Sequence, residues 1–432
     1  MKILLISPAK DLTVKTNKGL MMPQLALYII QGLTPPQHSV RIIEEEYMKL
    51  DMNEDADLVG ISCMTANSTR AYELGDYFRK KGKKVILGGV HPTILPDEAA
   101  EHADAVVVGE AEGVWKELLT DIEQNQLKKR YHCPSPDLTE YVPKSFSTLK
   151  SRRLFNILPL MTTRGCPYDC DFCCVNNLFG KKVRHIPVPN IVRDIVESKS
   201  KNFIFLDDNI IGNPKYAKEL FTSIKPLKIK WIGQASISFV KDLELMNLAV
   251  KSGCKGLFIG LESVCETQMK SFKKSMNTIT DLEKALRKIR SMGIFIQASM
   301  IFGFDNDTPE TFKNSLKFLV RNKISAVSFN VLTPYPGTRT FEKMKKEGRL
   351  LHQEWKQFDH NTVVFRPQNM TPFELQKGKT LTRRKFYSPG SILYRFWGNL
   401  QNPVIYMAMN YAHVKQSKIE YKRLKTLKHQ MQ

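Results

Sequence analysis

Three cysteines stand at Cys166, Cys170 and Cys173 in the run Arg164-Gly165-Cys166-Pro167-Tyr168-Asp169-Cys170-Asp171-Phe172-Cys173. This Cys-x3-Cys-x2-Cys spacing directly follows residues 157–163, an apolar segment that predicts a strand. Three thiolates on one short loop can hold three irons of a [4Fe-4S] cube and leave the fourth open to a ligand. Zinc is the competing reading, but a tetrahedral zinc wants a fourth protein ligand. The next histidine, His185, lies twelve residues on with no second cysteine pair. Cys174 points away from its neighbour and reads as a packed or spare thiol.

The rest of the chain says where such a loop would sit. Over the first 125 residues short β-branched runs alternate with helical patterns. Strands are predicted at Lys2–Ser7, Val40–Glu44, Asp57–Ser62, Lys84–Leu87 and Ala103–Val108, and helices near 24–33, 66–81 and 111–124. Glycines cluster at strand exits (Gly60, Gly88-Gly89, Gly109), on the carboxyl edge where doubly wound sheets bind ligands. Between 126 and 155 the periodicity fails and Pro134, Pro136 and Pro143 appear. A second series has strands predicted at 157–163, 202–206, 229–234, 256–260, 294–301 and 325–331, with helices such as 280–291 and 309–322 between them. Six β/α units predict a partial barrel with reactive groups at the C-terminal strand ends. The expected class is α/β: a Rossmann-like domain over 1–130, a linker over 131–155, a partial (β/α)6 core over 156–345, and a small basic, mainly helical region over 346–432.

The cysteine spacing, with Phe172 before the third cysteine and the Arg-Gly-Cys-Pro lead-in, resembles the radical S-adenosylmethionine (SAM) superfamily from 156 to about 345. The resemblance implies that Cys166, Cys170 and Cys173 hold a [4Fe-4S] cluster whose open iron chelates SAM. An electron from the cluster then yields a 5′-deoxyadenosyl radical. Polar residues at strand ends are candidate SAM contacts: Asp207 and Asp208 after the second strand, Gln234 and Ser236 at the third, and Glu262 closing Gly256-Leu257-Phe258-Ile259-Gly260-Leu261-Glu262-Ser263. The run Met300 to Asp305 closes the fifth strand. Phe172 and Arg184 complete the set, Arg184 as a cation for the SAM carboxylate. Plainer readings stand beside these: Asp208 or Asn209 as a helix cap, Arg184 as a surface charge.

A Rossmann-like domain ahead of such a core resembles the cobalamin-binding (B12-dependent) class, in which a corrinoid lies on the carboxyl edge of the sheet. That class often carries Asp-x-His-x-x-Gly, then Ser-x-Leu, then Gly-Gly. Ser62-Cys63-Met64-Thr65 approximates the middle element, and Gly88-Gly89 follows Ser62 by 26 residues. The resemblance therefore implies Ser62, Thr65, Gly88 and Gly89 at a nucleotide-tail pocket. Residues 8–24 contain no histidine, so a lower cobalt ligand from there is excluded, and cobalamin held without one is expected. His91 is the nearest alternative, set against a capping or loop-packing role. A second iron–sulfur cluster is disfavoured, because Cys63 and Cys133 are the only cysteines before the core.

The implied activity is cobalamin-dependent methylation of an unactivated carbon. One SAM methylates the corrinoid, and another supplies the radical that removes a substrate hydrogen. Oxidation, ring closure or carbon–carbon coupling on the same architecture is the alternative; a scaffold without turnover is disfavoured by the intact triad. A small-molecule or lipid substrate and an electron donor such as flavodoxin or ferredoxin are the implied partners. No catalytic side chain is singled out.

Eight cysteines in 432 residues are too few for a disulfide scaffold, and no apolar run is long enough to span a membrane. The start, MKILLISPAK, has too short an apolar stretch for a leader, so a cytoplasmic chain is expected, peripheral at the inner membrane face. The net charge of +22 is unevenly spread. Residues 1–130 carry 16 Lys and Arg against 19 Asp and Glu, whereas 377–432 carry 12 basic residues against one acidic. There Arg383-Arg384-Lys385-Phe386-Tyr387 and Tyr394-Arg395-Phe396-Trp397 interleave cations with aromatics, followed by the apolar stretch Val404–Met409 and a basic tail, Lys415 to Lys428. This pattern predicts contact with a membrane surface ahead of nucleic acid. A basic helical cap over the barrel mouth is the plainer reading.

Overall fold

Alternation along the first strand explains how the N-terminal sheet is covered on both sides. In Ile3-Leu4-Leu5-Ile6, Leu4 and Ile6 join one buried apolar cluster with Val59, Ile61, Val85 and Leu87. Ile3 and Leu5 join another with Leu58, Ile86, Trp115 and Leu118. Successive side chains of a strand point to opposite faces, so a run apolar throughout is buried on both. Each such aliphatic side chain contributes about 1.5–3 kcal/mol on burial. The elements run β1 (Lys2–Ser7), α1 (Leu25–Leu33), β2 (Ser39–Glu44), β3 (Leu58–Ser62), α2 (Ser68–Lys80), β4 (Lys84–Gly88), α3 (Val90–Ile94), α4 (Pro96–Glu101), β5 (Ala105–Gly109), α5 (Trp115–Glu123) and β6 (Arg130–Cys133). The strands are parallel in the order β2-β1-β3-β4-β5-β6. Winding reverses between β1 and β3, the point outside which sheets of this kind take ligands.

The computed structural model describes residues 1–12, 23–133, 135–140, 157–272 and 278–428. Most of the expected linker, with Pro134 and Pro143, and part of the segment 8–24 lie outside the described residues. Two compact units form. One comprises Met1–Cys166, Cys174–Leu206 and Glu354–Lys356; the other comprises Pro167–Cys173, Asp207–Gln353 and Gln357–Gln432. This division differs from the four segments expected from sequence, because the opening strands of the second series pack with the N-terminal sheet's unit.

In the first unit, β7 (Ile157–Leu160) and β8 (Thr163–Arg164) precede α6 (Val175–Phe179), β9 (Arg184–His185), α7 (Val188–Ser198) and β10 (Asn202–Phe205). β7 and β10 pair in parallel, and β8 pairs antiparallel with β9. In the second unit come α8 (Pro214–Ile224), β11 (Lys230–Ala235), α9 (Leu243–Lys251), β12 (Cys254–Glu262), α10 (Glu266–Ser271), α11 (Ile279–Ser291), β13 (Phe295–Phe302), α12 (Pro309–Arg321) and β14 (Ala326–Val331). β11, β12, β13 and β14 pair in parallel in that succession. The six strands β7 and β10–β14, interleaved with helices, are the α/β series expected of the core.

The C-terminal region is helical: α13 (Arg339–Lys346), α14 (Pro372–Phe386), α15 (Pro389–Phe396) and α16 (Pro403–Lys428). Two cations read from sequence as surface groups are inside it. Arg383 is buried against Glu420, and Arg395 is fully buried, donating to the carbonyls of Ile324, Ser325 and Phe386. Both satisfy backbone or side-chain acceptors of the fold, which corrects their assignment to a membrane face. Among the described residues no helix is long and apolar enough to cross a membrane.

Candidate active site

The cysteine loop is anchored at its start and at its middle by different chemistry. At its start Gly165 has φ +92°, and a Cβ there would lie 2.7 Å from the Lys182 carbonyl oxygen and 3.0 Å from that of Gly180. Glycine alone fits that turn without strain. Arg164, buried, is held by Glu110 and Glu112, and its β-ladder partner Arg184 also donates to Glu110 and, at 3.1 Å, to the Pro136 carbonyl. Two arginines between two carboxylates satisfy a charge set that would be costly to leave incomplete. Arg184 thus stands in a structural ion network and is not the solvent charge weighed from sequence.

Within the second unit, Arg339 at the start of α13 grips the middle of the loop. Its Nε donates to Asp171 at 2.7 Å, and its terminal nitrogens donate to the Asp169 carboxylate (3.0 Å) and carbonyl (2.7 Å). Phe172 meets Phe272 and Phe304 edge-on, each with centroids 5.7 Å away. Tyr168 donates to Ser238 (3.0 Å), which bonds Ser236 (2.6 Å). The Ser236 N–H in turn donates to Asn209 Oδ1 (3.2 Å). The loop is thereby tied to the carboxyl end of β11, where Gln234 donates to the Asp208 carbonyl at 2.9 Å. Asn213 caps α8 by accepting from Tyr216, so neither Asp208 nor Asn209 has the capping role.

Asp207 is buried. Glu262 ends β12 just after a register shift and is 8% exposed with φ +63°. A non-glycine residue held in the left-handed region beside a bulge marks strain of the kind that clusters at functional sites. None of the described cysteines is in a disulfide, and Cys166, Cys170, Cys173 and Cys174 are all partly accessible. Among the described residues no three His, Cys, Asp or Glu side chains are assembled to hold a metal ion. What fits an iron–sulfur cluster is the donor set, three accessible thiols within eight residues of a loop pinned at its start and middle. Cys174 instead stands at the start of α6, its carbonyl accepting from Asn177 at 3.1 Å.

At the carboxyl edge of the first sheet, Ser62 pairs in register with Gly88. Gly89 has φ +97°, and a Cβ there would lie 2.7 Å from the Cys63 carbonyl oxygen and 2.9 Å from Ser62 Oγ. A Cβ on Gly88 would meet nothing nearer than Val107 at 3.7 Å. Close backbone approach is thus demanded at Gly89 by the strand beside it, while a side chain at Gly88 would fit in ordinary contact, so glycine there keeps the edge bare, as close approach of a corrinoid tail would need. His91 is fully buried, with Nδ1 against Thr65 Oγ1 (3.3 Å) and Nε2 against Glu98 (3.2 Å). Glu98 also accepts from Tyr72 (2.9 Å) and Trp355 (3.0 Å). Burial alone would raise the Glu98 carboxyl, but these bonds hold it below its ordinary value. With both ring nitrogens engaged, His91 and Thr65 support the loop from beneath, the packing role weighed for His91 from sequence.

Sequence reasoning missed Glu110, Glu112, Arg339, Ser238 and Glu98. The one local signal was Gly109-Glu110-Ala111-Glu112-Gly113, two carboxylates at a strand exit read there only for its glycine.

The B12 binding domain model matches residues 31–119 and the radical SAM superfamily model residues 160–319. The bacteriochlorophyllide d C-12(1)-methyltransferase of Chlorobaculum tepidum is 31% identical over 415 residues, 93% of this chain and 90% of that protein. The hopanoid C-2 methylase of Rhodopseudomonas palustris is 24% identical over 350 residues, 77% of this chain and 66% of that protein. The solved structure of the radical SAM methyltransferase TsrM from Kitasatospora setae, with cobalamin and a [4Fe-4S] cluster bound, superposes with a TM-score of 0.69 at 14% identity over 99% of both chains, which shows a shared fold. An N-terminal B12 domain, a radical SAM core after it and 31% identity along nearly the whole of a methyltransferase place this chain in the cobalamin-binding radical SAM methyltransferase family, enzymes of a [4Fe-4S] cluster, SAM and cobalamin.

Proposed function

We propose that this methyltransferase acts on an unactivated carbon of a large, hydrophobic ring system. The observation that carries this is the 31% identity over 93% of the chain to an enzyme named for a bacteriochlorophyllide. Cys166, Cys170 and Cys173 would hold the cluster, and the carboxyl edge at Ser62 and Gly88 would hold cobalamin. When bound, these groups and SAM supply the radical and the methyl group. The chain's own part is placement. Arg339 and Phe172 fix the cysteine loop, Ser236 and Asn209 tie it to the neighbouring strand end, and Asp207, Gln234 and Glu262 offer polar atoms to SAM. We further infer reduction by a flavodoxin or ferredoxin and a peripheral membrane contact of the C-terminal region.

Anaerobic reconstitution tests the cluster assignment. Cys166→Ala, Cys170→Ala and Cys173→Ala should each lose visible cluster absorbance and release no 5′-deoxyadenosine, whereas Cys174→Ala should keep both. An inactive Cys174→Ala protein with full iron content would overturn that assignment. Holoenzyme given SAM, reductant and either a tetrapyrrole or a polycyclic isoprenoid should add one CH2 in mass to one of them. Methylation of neither, with SAM still cleaved, would refute the substrate class.

A further inference from the structure

In the second unit, the turn from α15 into α16 presents apolar side chains that serve no core. Leu393 is 64% exposed, Trp397 65% and Val404 78%, with Met407 beside them. The inward side of the same turn is already complete. Tyr406 packs on Phe295 and Ala326, and Arg395 and Asn410 satisfy the carbonyls beneath. Leu393, Val404 and Met407 line one almost wholly apolar groove. On the other side of the turn, Trp397 and Leu400 border a second groove of about 820 Å³, lined by Arg287, Arg290, Arg321 and Lys323.

The charge of that second groove is unbalanced. Its single lining carboxylate, Glu283, is taken by Arg321. Arg290 donates to the Asn322 carbonyl, and burial and the neighbouring Arg287 both weigh against its charge. A cationic groove next to an aliphatic ridge, with an indole between, matches the two layers of an anionic bilayer surface: headgroup phosphates outside, acyl chains just beneath. Nucleic acid would ask for stacking rings where this ridge offers Leu393, Val404 and Met407.

We propose that the α15–α16 turn docks on an anionic lipid bilayer, Leu393, Val404 and Met407 entering the interface while Arg287, Arg290 and Lys323 take headgroup phosphates. This deepens the membrane contact inferred above by assigning it to this turn instead of the basic tail, and it stands apart from the methyl-transfer chemistry.

Flotation of the full-length holoenzyme with phosphatidylcholine vesicles, with and without phosphatidylglycerol, tests it. Binding should require phosphatidylglycerol and weaken with salt. Leu393→Glu/Val404→Glu and Arg287→Gln/Arg290→Gln should each reduce binding about tenfold or more, while Lys418→Gln/Lys422→Gln/Arg423→Gln should retain most of it. All four apolar and cationic positions are away from the cysteine loop, so unchanged cluster absorbance and SAM cleavage should accompany the loss. Binding that persists in both turn variants, or is lost in the tail variant alone, would overturn the assignment. So would no binding to anionic vesicles at low salt, or an oligonucleotide captured in their place. Intact SAM cleavage in that case would leave the methyltransferase reading standing.

Discussion

Asp307 lies buried just beyond β13, where its Oδ2 accepts from the backbone N–H groups of Gly303 (2.7 Å) and Phe304 (3.0 Å). Burial pushes its pKa up to about 6, against the pull of those two bonds and with a further push from Asp305. A native pKa above the unfolded one lets the folded chain keep its proton longer. The contribution is therefore full below about pH 4 and is lost as pH rises to about 6, a fall of about 3 kcal/mol. Asp307→Asn should preserve both backbone bonds through its oxygen and abolish this fall. Its stability relative to wild type, from urea midpoints, should climb between pH 4 and 6; parallel curves would refute the buried-acid account. At this scale sequence conveys residue type but not partner. Arg164 and Glu110, or Arg339 and Asp169, are separated by long stretches of chain, and no local pattern announces their meeting.

The turn after β4 separates a requirement of the fold from space for a ligand. Gly88→Val should leave the melting temperature of the corrinoid-depleted protein nearly unchanged while weakening hydroxocobalamin retention roughly five- to a hundredfold, the scale of an overpacked contact. Gly89→Ala should cost about 1–3 kcal/mol of stability whether or not corrinoid is present, from its φ and the Cys63 carbonyl. Equal effects of the two substitutions on stability would refute this division. The strands read from sequence in both series were legible to within a residue or two, save that 157–163 runs three residues past β7, because apolar β-branched runs bounded by glycine have few other readings; the two-residue β8 and β9 are too short to carry such a run. α3 and α4 were not legible, being five and six residues long, with a proline inside the first and opening the second. β6 fell where the linker was expected. A mainly helical C-terminal region was legible, but the span of α16 was not, for another reason. Its buried positions include Tyr406, Asn410, Ser417 and Leu424, so two polar residues occupy places where periodicity looks for apolar ones. Asn410 is buried because it bonds Arg395 and the Ser325 carbonyl.

For the whole molecule, the order of the two cofactor-bearing segments was legible from one cysteine loop and one Gly-Gly at the right remove. The compact units were not, because they are made by segments that leave and return. The residues Glu354–Lys356 belong to the first unit, though some 150 residues separate them from its preceding stretch. Through them Trp355 donates to Glu98 and lies edge-on to His91 at 5.4 Å. The B12-type module therefore cannot be excised by one cut. A fragment ending at Leu206 would leave the Glu98 carboxylate one donor short and the His91 imidazole uncovered. Such a fragment should melt lower than the same fragment carrying residues 354–356 on a flexible tether, and the tethered tryptophan's emission should shift as it docks. Equal melting of the two fragments would mean that the returning segment of three residues is a passenger. If they differ, anyone grafting this cofactor module onto another enzyme must transplant a discontinuous epitope, two pieces of one keystone.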